Sequence, residues 1–250
     1  MNRILFESCE VSNGRAVFGG ARAEHVLNVL HGEVGQTLRT GVVDGLAGTS
    51  VIEAIEPLPA DPATGLAQGR ITVECRHDEP SPAPWADLIL APPRPRAMKR
   101  LLPQIAQMGV GRIVLVGAEK VEKAFWGAQL LKESVYRPLL LDGLMQAGVT
   151  AMPTIRQERS LRRYVEQGRM DDEFPDAACR VVAHPGVAAA SAPSHGTGRV
   201  LVAIGPEGGW TDGEVALLES HGFFRLSLGP RILRTDTAVV ALLARLMPIL

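Results

Sequence analysis

Several features are scarce in this sequence, and each scarcity excludes a class of protein. Its 250 residues contain three cysteines, Cys9, Cys75 and Cys179, which are far apart and form no CxxC pair. This odd, dispersed set predicts reduced structural thiols, not a disulfide framework or a metal site. The 26 basic residues balance 27 acidic ones, so the net charge of −1 gives no global attraction to nucleic acid. Any binding of RNA or DNA therefore needs a local basic patch.

Long apolar runs and phosphate-binding motifs are also missing. No apolar run approaches the length of a membrane span, and the N-terminal sequence MNRILFESCE lacks the apolar core of a secretory signal. We therefore expect a soluble, cytoplasmic protein. Neither the Walker A pattern nor GxGxxG occurs, which removes two common glycine-rich phosphate loops. A hydrophobic content of 46% still allows a well-packed core in one large or two small domains.

Residues 1–75 are predicted to form a small, β-rich, barrel-like domain. A helical spacing of apolar residues over Ala23–Leu30 interrupts the β-prone runs, and Asp44-Gly45 is typical of a hairpin turn. The polar, proline-rich segment Arg76–Pro84 predicts a linker to a second domain over residues 84–250. The β-prone runs are Arg3–Phe6, Arg15–Phe18, Gln36–Thr40, Ser50–Ile55 and Arg70–Glu74.

In the second domain, short apolar runs alternate with helical patterns, which predicts parallel β-α-β units. Three of the runs end in glycine-containing loops: His184-Pro185-Gly186, Gly205-Pro206-Glu207-Gly208-Gly209 and Gly229-Pro230-Arg231. Ligands of parallel sheets bind beyond the carboxyl ends of the strands, and glycine lets the backbone approach a ligand closely. Each loop alone could simply turn the chain, but three at successive strand ends indicate a ligand site.

The side chains near these loops narrow the ligand chemistry. Glu207 would repel a phosphate, so it either faces a cationic centre or an amine, or it caps its own loop. Arg231 and Arg234 carry guanidinium groups that can hold an anion or nucleobase carbonyls. We expect one residue of Thr235–Thr237 to cap the final helix. The densest basic patch, Arg94–Arg100, is either a solvated helix end or, in an RNA-binding protein, a phosphate contact.

Two long blocks, IGPEGG within Leu201–Gly209 and LGPRILRTDT within Leu228–Ala238, carry a resemblance to a known family. They resemble the RsmE-type ribosomal small-subunit RNA uridine-N3 methyltransferases, which belong to the knotted SPOUT class of S-adenosylmethionine-dependent enzymes. Weaker matches occur at Gln107–Val110 and His184-Pro185, and the N-terminal pattern of Arg3, His25 and Asp44-Gly45 is also similar.

The resemblance implies a fold, a cofactor and partners. The expected fold is α/β, a C-terminal SPOUT-like domain with a deep trefoil knot, preceded by a small PUA-like barrel that binds RNA. The expected partners are ribosomal RNA or the small ribosomal subunit, and a second copy of the chain that forms a homodimer through the apolar helix Thr237–Leu246. S-adenosylmethionine would be bound by His184, Ile204, Gly205, Gly208, Gly209, Leu228, Gly229, Ile232, Leu233, Thr235 and Ala238. Arg3, His25, Arg94, Arg96, Arg100 and Arg231 would contact RNA.

Methylation at uracil N3 requires that the N3 proton leaves and that the negative charge left on the base is stabilised. We assign the stabilisation to Arg234, and either Asp236 or Glu207 accepts the proton or orients that arginine. This chemistry needs no metal, and none is expected, because the sequence has no cluster of His and Cys residues.

Some positions depart from the family pattern. Met145, Gln146 and Val149 stand where the family usually has Glu-Gln-x-x-Arg, Gln104 replaces a lysine, and His31 replaces an arginine. The lost charges would contact RNA or order the active site. Two alternatives therefore stand beside the uridine assignment: an RNA-binding protein on this scaffold that has lost catalysis, and a methyltransferase with a different RNA target.

Overall fold

The structure is a computed structural model that describes residues 2–185, 196 and 198–248. Its contacts divide the chain into two units, residues 1–82 with 144–152 and residues 83–143 with 153–250. Gly186, part of one predicted loop, lies outside the described residues. Within the described ranges, no helix is both long and apolar enough to cross a membrane.

The first unit is a six-stranded sheet that packs against one helix. Its elements are β1 (Ile4–Phe6), β2 (Val11–Ser12), β3 (Arg15–Phe18), α1 (Gly20–Asn28), β4 (Thr37–Val42), β5 (Ala47–Leu58) and β6 (Gln68–Glu79). The strand order is β1-β4-β5-β6-β3-β2, and every pair is antiparallel except β1 with β4. Strand β3 alternates as a half-buried strand should: Ala16 and Phe18 are buried in the core, whereas Arg15 and Val17 are exposed.

The end of this sheet differs from the sequence prediction. Arg76–Glu79, assigned to the linker because these residues are polar, continues β6 and pairs with residues 47–49 of β5. Polar residues can extend a strand because the backbone hydrogen bonds between strands do not require apolar side chains. His77 also reaches across β5, and its Nε2 lies 2.8 Å from Oγ1 of Thr40 on β4. Helix α1 ends at Asn28, so Leu30 lies beyond the helix and is exposed.

The second unit is a parallel sheet flanked by helices. The elements after β6 are β7 (Ala86–Leu90), α2 (Pro95–Gln107), β8 (Val110–Val116), α3 (Glu133–Ala147), β9 (Thr154–Glu158), α4 (Leu161–Glu166), α5 (Arg169–Glu173), β10 (Ala177–Ala183), β11 (Arg199–Ile204), α6 (Asp212–Ser220), β12 (Phe224–Leu226) and α7 (Thr235–Leu246). The strand order is β12-β10-β11-β7-β8-β9, and all neighbours are parallel. Every residue of β7 is buried, as expected for a strand covered on both faces.

The sequence predicts the N-cap residue correctly for one helix of this unit, α6, and not for another, α7. At α6 the predicted capping box is present, since the Thr211 and Glu214 side chains accept hydrogen bonds from each other's backbone. At α7 the N-cap residue is Arg234, not one of Thr235–Thr237, and its side chain makes no cap hydrogen bond. Of the three predicted residues, Asp236 does bond the first turn, since its Oδ1 accepts from the Thr237 backbone N–H at 3.1 Å. The chain enters α7 with Arg234 extended, so Thr235 is already helical, and Arg234 O accepts from Ala238 N at 2.8 Å. Helices α4 and α5 were not predicted.

The amino edge of the parallel sheet contains a buried charge cluster. Asp87, in the second position of β7, has no exposed side-chain surface. Its carboxylate accepts hydrogen bonds from the Arg112 guanidinium of β8 at 2.5 Å and from the Arg199 guanidinium of β11. Asp176, just before β10, also pairs with Arg112. Both arginines point their charge at carboxylates, so the buried Asp87 side chain is fully partnered.

Candidate active site

The carboxyl edge of the same sheet encloses a cavity of about 260 Å³. Its walls come from the segments that follow three neighbouring strands: 183–185 after β10, 204–210 after β11 and 226–233 after β12. The first turns of α7 complete it with Thr235, Ala238 and Leu242. Parallel strands bring their carboxyl ends to one edge, so loops far apart in the sequence meet there.

Two glycines keep the cavity open. A Cβ atom added to Gly205 would lie 3.0 Å from Trp210 N and 3.2 Å from the indole ring, so a side chain would press on the cavity wall. Gly229 has φ +108°, a conformation that residues with a Cβ rarely adopt. These positions let bare backbone line the cavity, where amide and carbonyl groups are available to a ligand.

Two nitrogen atoms in the cavity wall have no hydrogen-bond partner among the residues that the structure describes. Nδ1 of His184 and Nε1 of Trp210 are buried and make no hydrogen bond within the described part of the chain. Buried polar groups nearly always find a partner, because leaving one unsatisfied costs about 1–3 kcal/mol. An apolar cavity with a few unpaired polar atoms is the usual form of a small-molecule site.

All the residues predicted to bind the cofactor line this one cavity. They are His184, Ile204, Gly205, Gly208, Gly209, Leu228, Gly229, Ile232, Leu233, Thr235 and Ala238. The prediction missed Trp210, although it directly follows Gly208-Gly209, and Leu242, which lies one helical turn after Ala238. It also missed Ala183, Pro185, Pro206, Leu226 and Ser227, which adjoin the predicted loop positions.

Glu207 lines the cavity and also contacts a cation of the same chain. Its Oε2 lies 3.4 Å from Arg94 Nε, and the side chain is less than half exposed. The described residues give its carboxylate no hydrogen bond from the loop backbone, so Glu207 does not cap its own loop here. Of the two interpretations of this residue, the structure favours a carboxylate that faces positive charge.

Asp236 lies outside the cavity wall and is already paired. Its Oδ2 is 2.9 Å from Arg100 Nη2, and only 15% of its side chain is exposed. The hydrogen bond from Arg100 holds the pKa of Asp236 below its ordinary value, which makes it a weak proton acceptor at neutral pH. Arg100, predicted to contact RNA, therefore already donates a hydrogen bond to a residue of α7.

The remaining predicted arginines of this unit differ in availability. Arg96, Arg231 and Arg234 are exposed and have no ion pair or hydrogen bond to any described residue. Arg231 lines the cavity, whereas Arg234 does not. Arg94 is also largely exposed, but besides Glu207 it contacts Glu122, at 3.2 Å. Three unpaired guanidinium groups thus remain free to meet an anionic partner.

In the first unit, Arg3 is not the RNA contact that we predicted. It is 6% exposed, and its guanidinium donates to the carbonyl oxygens of Thr40 at 2.6 Å and of Gly48 and Gly148 at 3.0 Å. These bonds tie β4, β5 and residue 148 together, so Arg3 is structural. His25, on α1, is half-buried, and its Nε2 has no partner within the described residues.

The positions that depart from the family pattern fall into two groups. Met145 is 8% exposed, and its carbonyl accepts from the backbone N–H groups of Asn2 and Arg3, so an apolar residue suits this packed site. Gln104 on α2 and His31, which has φ +49°, are exposed. None of these positions lines the cavity. In the described chain, no group of three His, Cys, Asp or Glu side chains could hold a metal ion.

Comparison with known proteins identifies the family. Residues 79–247 match the model of a family described as an RNA methyltransferase domain. The chain belongs to this family. Ribosomal RNA small subunit methyltransferase E of Treponema pallidum is 29% identical over 245 residues, which cover 96% of this chain and 88% of that protein. Ribosomal RNA small subunit methyltransferase E 1 of Borreliella burgdorferi is 24% identical over 59% of this chain and 60% of its own length.

Solved structures that are similar to this chain have the same fold. A Legionella pneumophila protein in complex with S-adenosylmethionine is 25% identical, with a TM-score of 0.66 over 98% of this chain and 96% of that one. A ribosomal RNA small subunit methyltransferase E of Neisseria gonorrhoeae, 21% identical, has a TM-score of 0.68 over 98% and 95%. The RsmE-type resemblance and the predicted fold class are confirmed; the trefoil knot stays a prediction.

Proposed function

We propose that this RNA methyltransferase uses S-adenosylmethionine to methylate N3 of a uridine in small-subunit ribosomal RNA. The observation that carries the proposal is the cavity at the carboxyl ends of β10, β11 and β12. Every residue that the family resemblance assigns to the cofactor lines it. The names of the relatives support ribosomal RNA of the small subunit as the substrate, and the Legionella pneumophila structure supports the cofactor.

The residues present fit S-adenosylmethionine, which supplies an electrophilic methyl group when bound. Gly205 and Gly229 leave room for a bent ligand against the backbone, and the unpaired nitrogens of His184 and Trp210 offer hydrogen bonds to its polar atoms. Buried apolar side chains of the wall, such as Ile204 and Leu242, exclude water from the reacting centre. The protein thereby holds and orients the donor.

Glu207 is the proposed proton acceptor. It lines the cavity, whereas Asp236 lies outside and has a lowered pKa because Arg100 binds it. Arg234, exposed at the start of α7, is the proposed source of positive charge for the base that has lost its proton. Arg96 and Arg231 are proposed to bind RNA phosphates, and α7 is proposed to form the homodimer interface.

Arg234→Ala tests the assignment of positive charge. We expect methyl transfer to fall by about 100-fold, the typical loss when one stabilising group for a developing anion is removed. S-adenosylmethionine affinity, measured by calorimetry, should stay within about twofold, because Arg234 does not line the cavity. A joint loss of affinity and transfer would mean that Arg234 is a cofactor ligand or a structural residue.

Reverse transcription of small-subunit RNA from cells with and without the gene tests the reaction. Methylation at N3 blocks base pairing, so the wild type should give one strong stop at a uridine that is absent in the deletion strain. Purified protein with S-adenosylmethionine should restore the stop in RNA from that strain. An unchanged stop pattern would overturn the uridine assignment. Failure of S-adenosylmethionine to raise the melting temperature would favour the RNA-binding protein without catalysis.

A further inference from the structure

A second cavity, of about 270 Å³, adjoins the cofactor cavity. The two cavities share Pro206, Glu207 and Gly208. The other walls of the second cavity are residues 92–95, which lead from β7 into the first residue of α2, and residues 120–125, after β8. Neither wall belongs to the residues that the family resemblance assigns to the cofactor. The Glu207 loop is therefore the boundary between two sites in the same unit.

The walls of this second cavity suit a flat, aromatic ligand. Pro92, Pro93 and Pro206 present rigid apolar rings, and Phe125 is 4% exposed beside them. Nucleobases that are turned out of a helix or loop are held by stacking between apolar or aromatic side chains. A nucleobase also needs hydrogen-bonding groups at its edge, and those are present.

The polar groups of the cavity form a donor, acceptor, donor set. The Glu207 carboxylate is the acceptor, and Arg94 Nε contacts it at 3.4 Å. Lys120 Nζ donates to the carbonyl oxygen of the next residue, Gly208, at 3.0 Å and lies 3.4 Å from the Trp210 carbonyl oxygen. One carboxylate and two cationic donors thus line one cavity, Arg94 beside the carboxylate and Lys120 beside the backbone of the same loop. This set has the groups that a uracil edge needs, where two carbonyl oxygens flank the N3–H donor.

We propose that this second cavity is the pocket for the acceptor uracil. Glu207 accepts the N3–H, and Arg94 and Lys120 donate to the two carbonyl oxygens of the base. Arg234 lines neither cavity, so it adds positive charge from outside this pocket. Cytosine is rejected because it presents an unprotonated N3 to Glu207 and an amino group to one of the two cations. This inference rests on the proposed function, since it assigns the second substrate of the same reaction.

The arrangement accounts for the transfer step. The N3 proton goes to the Glu207 carboxylate, the N3 electron pair forms the bond to the methyl carbon, and the carbon–sulfur electron pair stays on sulfur. Glu207 can serve both substrates because it lies in the wall of both cavities. Arg94 can turn toward the base readily, since it is 70% exposed and exposed ion pairs such as Arg94–Glu122 are weak.

Binding of RNA without cofactor tests the pocket independently of catalysis. The probe is a fluorescein-labelled small-subunit RNA fragment whose acceptor position, located by the reverse-transcription stop, carries uridine, 4-thiouridine or 2-thiouridine. Sulfur accepts hydrogen bonds more weakly than oxygen, so each substitution should weaken wild-type binding by about fivefold, as expected for the loss of one hydrogen bond. Arg94→Ala should abolish the effect at one carbonyl and Lys120→Met at the other.

The control is Arg162→Ala, which removes an arginine from a comparably exposed ion pair, with Glu166, outside both cavities. It should leave the response to thiouridine unchanged, and all variants should keep the wild-type melting temperature within a few degrees. Equal sensitivity to sulfur in the wild type and both pocket variants would overturn the proposal, as would an insensitive wild type. If the wild type methylates the RNA but its binding does not depend on sulfur through Arg94 and Lys120, only this inference fails. If the wild type transfers no methyl group, the proposed function fails.

Discussion

The two edges of the parallel sheet treat polar groups in opposite ways. At the amino edge, the fully buried Asp87 is bonded by Arg112 and Arg199. At the carboxyl edge, His184 Nδ1 and Trp210 Nε1 are buried without a partner among the described residues. Strand β11 contributes to both edges, with Arg199 at its start and Ile204 at its end, so the difference is not a property of the sheet. Paired charges stabilise the fold at the amino edge, and unpaired nitrogen atoms at the carboxyl edge are available to a ligand.

The largest expected effect is at the amino edge. Asp87→Ala leaves two arginines that are about three-quarters buried without their shared carboxylate. We expect the free energy of unfolding in urea to fall by about 3 kcal/mol, because removing one partner of a buried ion pair leaves an uncompensated charge. The affinity of the remaining folded protein for S-adenosylmethionine should not change.

Arg162→Ala is the matched control for that change. It breaks an exposed ion pair between neighbouring turns of α4, with both side chains at least half exposed. Such pairs contribute only about 0.3–0.5 kcal/mol. An Asp87→Ala protein that is no less stable than Arg162→Ala would contradict the view that the amino edge stabilises the fold.

The second prediction separates strain from ligand binding at the carboxyl edge. Gly229 and Gly222 both have positive φ, +108° and +82°, and open space where a Cβ would lie. Substitution of either by Ala should lower the free energy of unfolding by about 1–2 kcal/mol. Gly229 lines the cavity and Gly222 does not. Only Gly229→Ala should therefore also weaken S-adenosylmethionine binding, by about tenfold in calorimetry; equal affinities would refute its place in the site.

The third prediction concerns an unpaired atom. Trp210→Phe removes the buried indole N–H while keeping an aromatic ring in the cavity wall. We expect the dissociation constant of S-adenosylmethionine to rise about fivefold, the value of one hydrogen bond. The cofactor-free protein loses packing but no hydrogen bond. If affinity were unaffected, the ligand would not use this atom.

The smallest effect is expected at the Asp236–Arg100 pair, which joins α7 to α2 outside the cavity wall. Because Arg100 lowers the pKa of Asp236, the pair stabilises the folded state at pH above the ordinary pKa of aspartate, about 4. That contribution disappears as the pH falls through the folded-state pKa. Arg100→Ala should therefore reduce unfolding free energy by less than about 1 kcal/mol at neutral pH, with a smaller difference below about pH 4. A difference that grows on acidification would contradict the pair's role.

The carboxyl edge could be predicted from the sequence because its signals are local. Glycine loops after apolar runs mark strand ends whichever strands become neighbours, and the blocks around Gly205 and Gly229 are long enough to carry a family resemblance. Trp210 was missed because an aromatic residue after two glycines is as easily explained by packing. Its missing hydrogen bond appears only in three dimensions.

Other features depend on contacts between distant residues. Nothing near Arg3 in the sequence indicates that it is buried against the carbonyls of Thr40, Gly48 and Gly148. The second cavity likewise joins residues 92–95, 120–125 and 206–208, which no local pattern connects. Helix α4, in contrast, had a readable signal, since Leu161, Tyr164 and Val165 are buried at helical spacing. Its six residues and two arginines obscured that pattern.

Calorimetric titration with S-adenosylmethionine, of the wild type beside Gly229→Ala and Gly222→Ala, tests whether the carboxyl edge of the sheet binds the cofactor. We expect one saturable site per chain in the wild type and in Gly222→Ala, and clearly weaker binding in Gly229→Ala. Absence of binding to the folded wild type, or equal binding by all three proteins, would contradict the assignment of the cofactor to the carboxyl edge of the sheet.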